Sequence, residues 1–328
     1  MSGLDTVLTA FVGGLFGASL GALWSFCLCG LVTMIGCAVL LAGGPDFLLL
    51  QVGLGPVFGP HAGGFLAGVI AASYAGGRGK HPGGSGKDIL TPLIGSSWDV
   101  LAVGGLGAVA GVMLVPLLAS LPVIREFDHL GLSIILVTFL SRALFYREGP
   151  LGNKASIAKH GLMGTDNYCL SWVCWMSPPS RLLLVGAGVG GLAGAVARLS
   201  SEALAPLAAA GAISAAGAAT VPVIFCWGLS AMTLAGLQLG QGNIQKVPVT
   251  HCMAVLGALG FLYTGTLVGA VACGIFGAFL QELCARLFIN HGSDHLDPPA
   301  AGIAFGVFIL NIIFKPEWFG LAGRFGLN

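Results

Sequence analysis

Two histidines, His61 and His251, are the residues best placed to do chemistry. Each lies beside prolines inside an apolar stretch, His61 in LGPVFGPHAGG and His251 in VPVTHCMAVLGALG. A neutral imidazole offers one donor and one acceptor and titrates near neutral pH. It can hydrogen-bond a polar solute, coordinate a cation or relay protons, and an ionisable group inside an apolar segment points to function. With the neighbouring Gly59, Pro60 and Thr250 these histidines form the candidate substrate or pore site. The competing reading makes each His a local cap, its ring nitrogens occupied by free carbonyls at a helix end.

His291, Asp294, His295 and Asp297 crowd into HGSDHLD. His291, Asp294 and His295 are metal-ligand types at close spacing. The pattern equally fits a solvated loop that caps the last apolar segment, with Asp297 as N-cap and Pro298 at the first helical position, and capping preferences favour that reading. Cys169 and Cys174 stand in a polar stretch near His160, at the wide edge of zinc-pair spacing. No second Cys or His pair accompanies them, and a structural zinc needs four ligands. The other seven cysteines lie in or next to apolar runs, where they act as small hydrophobes.

Two glycine-rich motifs suggest nucleotides and fail on context. Gly186-Ala187-Gly188-Val189-Gly190-Gly191 fits GxGxxG, but apolar sequence continues past it with no alternating strand and helix pattern around it. Close helix packing by small residues accounts for it better. GGSGKD lacks a glycine at His81 and has Asp88 where a phosphate loop carries Ser or Thr. No cofactor is implied, and an ATP-driven pump is not expected.

The elements that must carry these residues are set by composition. Charged residues make up 8% of the 328 and hydrophobic ones 56%, against about 25% charged in a soluble domain. A charge at the bilayer centre costs about 2.5–3.5 kcal/mol, so lipid empties spans of Asp, Glu, Lys and Arg. The 54 glycines suit helices that pack backbone to backbone. A net charge of +1 with no basic stripe excludes nucleic acid as a partner. The start, MSGLDTVLTAF, lacks a basic region before its apolar run, so that first segment is expected to be retained.

Spans are expected near residues 6–25, 26–41, 60–74, 101–121 and 130–146, then 182–199, 203–225, 248–263, 266–287 and 298–314, each close to the ~20 residues a crossing needs. Residues 47–59 and 226–239 read as broken or re-entrant pieces. Tyr168, Trp172 and Trp175 suit the headgroup level. Arg142 and Arg198, near span ends, are expected to snorkel, and Glu282 either to face the interior or to pair with Arg286. The Lys and Arg bias places Arg78, Lys80, Lys87, Arg147, Lys154, Lys159, Arg181, Lys246 and Arg286 in the cytoplasm. Arg125, Arg198, Lys315, Arg324 and both termini then lie outside.

Three short matches recur in order: GGLFGA at 13–18 with GGLAGA at 190–195, His61 with His251, and Asp128-His129-Leu130 with Asp294-His295-Leu296. Five spans is an odd number, so a second copy would be inserted upside down. The expected fold is an all-α polytopic transmembrane helix bundle of about ten spans. It comprises two inverted five-helix repeats with broken or re-entrant segments, residues 1–146 and 181–328, joined by a cytoplasmic or interfacial connector at 147–180.

The expected function is transport, as a channel or secondary carrier, of a small polar solute or ion through a central site at the repeat interface. The expected location is a bacterial-type inner membrane, and no enzymatic activity is expected. The partners are the lipid bilayer and the solute, with a homo-oligomer left open. Two alternatives are a structural subunit of a larger membrane complex and an intramembrane metal-binding protein or enzyme built on His291, Asp294 and His295.

Overall fold

The computed structural model describes residues 3–164, 175–239 and 247–315. Among them there is no strand, only isolated bridges at Gly86–Asp294 and Gly149–Gly152. The first half contains α1 (Gly3–Leu20), α2 (Ala22–Leu41), α3 (Leu66–Gly77), α4 (Trp98–Ser120) and α5 (His129–Tyr146). A short α6 (Lys154–His160) follows. The second half contains α7 (Pro179–Ala209), α8 (Ala215–Thr233), a short α9 (Ala235–Leu239), α10 (His251–Thr264), α11 (Leu267–Cys284) and α12 (Pro298–Phe314).

Seven helices or joined helical stretches are long and apolar enough to cross a membrane; α3, α10 and α12 are apolar but shorter. The outer faces are apolar as well. Leu4, Leu8, Val12 and Phe16 form an exposed stripe along α1, and Leu184, Leu192 and Leu199 are exposed on α7. Water would penalise such faces, whereas lipid matches them. Inside, α3 and α10 are buried over most of their surface, and their neighbours are close enough to require glycine. A Cβ on Gly257 of α10 would stand 2.5 Å from Gly190 Cα of α7, and one on Gly274 of α11 would meet the same atom at 2.5 Å. The GxGxxG stretch is thus a helix crossing inside α7, as small-residue packing requires.

The packing partners repeat. In the first half α1 packs on α3 and α4, α3 on α4, and α5 on both α3 and α4. In the second, α7 packs on α10 and α11, α10 on α11, and α12 on both α10 and α11. The halves meet where α2 lies against α8 and α5 against α12.

Several expected boundaries need correction. The third apolar segment does not become helical at Pro60 but at Leu66. A π-helical turn at Leu48–Gly53 and a run of turns come first. That irregular run threads between α1 and α4, with Gly13, Gly17 and Gly111 leaving room for the backbone of Val57, Gly63 and His61. The stretches expected at 182–199 and 203–225 are two helices, but the boundary between them lies about ten residues later. One helix, α7, runs to Ala209, because Arg198 and Glu202 pair at 2.9 Å along its exposed face and do not break it. The break comes at Gly211, with φ +68°. Residues 226–233 continue α8, so the piece at 226–239 is helical and not a re-entrant loop among the described residues. Tyr168, Trp172, Cys169, Cys174, Lys246 and Arg324 lie outside the described residues.

Arg142 does not snorkel: it is fully buried. Its Nε donates to Asp294 Oδ1 at 2.6 Å, and its terminal nitrogens donate to the carbonyls of Pro150, Phe288 and Asp294 at 2.8, 2.6 and 3.1 Å. The loop 290–297 of the second half folds back over the C-terminal end of α5, so protein and not lipid surrounds the guanidinium. Glu282 and Arg286 do pair, at 2.8 Å.

Candidate functional site

Two aspartates start the two helices that touch at the junction of the halves. Asp128 caps α5 and accepts from Gly131 N at 2.6 Å; Asp297 caps α12 and accepts from Ala300 N at 2.7 Å. An N-cap carboxylate satisfies a free N–H and meets the positive end of the helix dipole. The first turns are in close contact, since a Cβ on Gly131 would lie 2.7 Å from Ala300 O. Asp297, and not Asp294, therefore caps α12 as Asp128 caps α5. The sequence match had paired Asp128 with Asp294, three residues before the residue that caps α12.

A cavity of about 80 Å³ lies beside these turns, with space for a few small groups. Its wall draws on α5 through Asp128, Gly131 and Ile134, and on α12 through Asp297, Ala300 and Ile303. These are the same steps along two helices. Phe65 at the start of α3 and Val255 in α10 face it, as do Phe26 of α2 and Trp227 of α8. Phe26 is the hub of the aromatic wall. Its ring centroid lies 5.2 Å from Phe65, 5.3 Å from Trp227 and 5.1 Å from His251.

Of the sequence-derived site residues, His251 and Pro60 line the cavity. His251 opens α10 and is 3% exposed, and its Nδ1 has no hydrogen-bond partner among the described residues. The break before it is held by Gln281, whose Nε2 donates to Val249 O at 3.0 Å. Gly59, His61 and Thr250 are buried next to the lining and are not part of it. His61 likewise has an Nδ1 without a partner among the described residues, and its carbonyl packs against Gly111.

Apart from Asp297, which lines the cavity, the HGSDHLD cluster lies outside the wall, and it is buried, not solvated. His291 has both ring nitrogens occupied, Nδ1 with Ser156 Oγ at 3.0 Å and Nε2 with Leu162 O at 3.1 Å. Asp294 is taken by Arg142 and by the Ser73 hydroxyl, itself joined to Ser141. His295 Nε2 is 3.6 Å from Asp297 Oδ1. Among the described residues no group of three or more His, Cys, Asp or Glu is arranged to hold a metal ion. The cluster fastens the second half to α3 and α5.

Sequence reasoning did not single out Asp128, Phe26, Phe65 or Trp227 as site residues, and it took Asp297 only as a cap. The available signal was an Asp at the start of an apolar segment in both halves, DHLG and DPPA.

Long apolar helices, outward apolar faces and an interior cavity with carboxylates define a helical membrane protein. The chain belongs to DUF7973, a family of unknown function, whose profile matches residues 1–153 and 203–321, more than four fifths of its length. No curated protein and no solved structure matches it.

Proposed function

We propose that the protein is a channel or secondary carrier that passes a small polar solute or ion through the cavity between its halves. The observation that carries this reading is the pairing of the cavity wall. Asp128 with Asp297, Gly131 with Ala300 and Ile134 with Ile303 line one space from matched positions on two helices. Two inverted five-helix repeats would produce that pairing on the axis relating them, the usual place for a transport site. The repeated packing partners of α1, α3, α4, α5 and of α7, α10, α11, α12 support the repeat.

The direction of α5 and α12 supports the inversion. From their touching first turns, each helix runs about 16 Å to a polar side chain, Arg142 in α5 and Asn311 in α12. Arg142 bonds Asp294, in the loop before α12, while Asn311 Nδ2 donates at 2.8 Å to Glu126 O, in the loop before α5. Each helix therefore ends beside the loop that enters the other. In this reading the bundle has ten spans. The seven long stretches cross directly, and α3, α10 and α12 are crossings completed by the irregular segments before them. The membrane is a bacterial-type plasma membrane.

The experiment is solute flux into proteoliposomes containing the purified protein. His251→Leu, and His61→Leu behind the wall, should lower flux several-fold while leaving yield and elution profile intact. Flux no greater than in empty vesicles, over a panel of small neutral, cationic and anionic solutes, would overturn the reading.

A further inference from the structure

The cavity wall states more about its ligand than that it is small. Asp128 and Asp297 both line it, and among the described residues no Lys or Arg does. Each has one carboxylate oxygen on the N–H of its own helix, at 2.6 and 2.7 Å. The other oxygen of Asp297 lies 3.6 Å from His295 Nε2. Carboxylates on a wall with no Lys or Arg to neutralise them call for a cation or a proton. A bare metal ion wants six or more oxygen ligands in the case of Ca²⁺ and an octahedral set in the case of Mg²⁺. The rest of this wall is aliphatic and aromatic and cannot supply them. Phe26, Phe65 and Trp227 instead offer π-faces, which attract a cation over the ring centroid. His251 adds a buried Nδ1 with no partner among the described residues, able in one tautomer to accept an N–H.

We propose that the cavity is a binding site for a small alkylammonium ion, its N–H groups held by Asp128, Asp297 and His251 and its carbons packed against Phe26, Phe65 and Trp227. An ammonium with one or two short alkyl groups suits a space of about 80 Å³. Its few N–H donors match the few acceptors, and its methyl groups match the apolar remainder. The assignment rests on the transport reading for its purpose and on the wall for its chemistry.

The test is calorimetric titration of methylammonium chloride into the purified, detergent-solubilised protein, with sodium and potassium chloride at equal ionic strength as competitors. The expected result is saturable methylammonium binding that neither metal chloride displaces. Asp128→Asn and Asp297→Asn keep a good N-cap residue, so the helices should persist while the charge is removed. Each should weaken binding at least ten-fold, and Phe26→Leu should weaken it several-fold, with unchanged elution profiles. Absence of binding by the folded wild type, displacement by sodium or potassium, or wild-type affinity in both Asn variants would overturn the proposal. Flux in proteoliposomes separates the two readings. If other small solutes cross through the protein and methylammonium neither binds nor crosses, the ligand assignment falls and transport stands. If methylammonium binds and nothing crosses, the site stands and transport falls.

Discussion

Replacing Arg142 by Met tests how the two halves are held together. The guanidinium is 0% exposed and Asp294 is 1% exposed, so the pair lies in a setting where water cannot replace a lost partner. Met fills much of the same volume but removes the charge and the donors to Asp294 Oδ1 and to the carbonyls of Pro150, Phe288 and Asp294. Asp294 would keep its bond from the Ser73 hydroxyl at 2.8 Å and would remain a buried anion without its cation. Breaking a buried pair by deleting one member costs about 3–5 kcal/mol, most of it the penalty of the stranded charge. At roughly 2–4 °C per kcal/mol the melting temperature should fall by roughly 6–20 °C. Asp294→Asn should fall by a similar amount. The double variant should fall by clearly less than the sum, because the second change relieves the charge that the first leaves behind. Arg142→Lys keeps the charge but not the planar fork and should lie between. Melting is followed by intrinsic fluorescence of the purified protein in detergent. A single variant within about 1 °C of wild type, or strict additivity in the double, would refute the claim that this pair is buried and coupled.

Further expectations follow from other contacts. Gly257→Val places side-chain atoms where Gly190 Cα already stands, and should lower yield of the folded protein sharply, whereas Gly188→Ala, with open space around it, should be neutral by the same elution assay. Lys87 donates to Asn290 O at 2.9 Å, and burial, followed by the neighbouring Arg142 guanidinium, pushes its amine down from 10.5 to about 8. Between those two values the unfolded chain binds more protons than the folded one, so stability should rise as pH goes from about 8 towards 10.5. Lys87→Met should flatten that rise in melting temperature against pH. Cysteines introduced at Lys87 and at Lys154 should be labelled from the cytoplasmic face, and labelling from the outside would reverse the orientation assigned from Lys and Arg bias.

How much of this was legible follows from which physical signals a linear sequence carries. Charge depletion and length mark apolar helices directly, so the bounds of α4, α5 and α12 lie within three residues of those expected, α12 on the same two residues. The continuous α7 was missed because Arg198, Ser200, Ser201 and Glu202 read as an interruption. On an exposed face the Arg and Glu pair along the helix instead, and both serines sit within it. Gly186–Gly191 read correctly as packing because close approach needs only local small residues. Arg142 was misread because its burial depends on a loop some 150 positions away, and no periodicity encodes that contact. The acids of the cavity were visible only as helix caps. Their second role appears when two first turns are brought together, which is a property of tertiary packing and not of either segment.

The two ends of the junction are unequally fastened, and this bears on how a transport cycle would start. At the Lys87 end, the Arg142–Asp294 pair is joined by Lys87 on Asn290 O, by Glu148 accepting from Ser293 Oγ at 2.6 Å, and by His295 N on Gly86 O at 3.1 Å. At the other end Asn311 reaches Glu126 O, steadied by Tyr263 OH on Asn311 Oδ1 at 2.7 Å, and Ser214 meets Asp46. The neutral bonds of Asn311 contribute about 0.5–1.5 kcal/mol each and the exposed Ser214 bond to the Asp46 carboxylate at most about 1.5–3 kcal/mol, less than the about 3–5 kcal/mol a buried ion pair costs to break. The Asn311 end should therefore open first. A cysteine at Ile303, on the cavity wall, in a background stripped of reactive native cysteines, should react with an impermeant thiol reagent added on the Lys315 side and not on the Lys87 side. Arg142→Met in the same background should add reactivity from the Lys87 side, because it loosens the stronger seam. Reaction from the Lys87 side before that change would mean that the weaker seam, and not the ion pair, keeps the cavity closed.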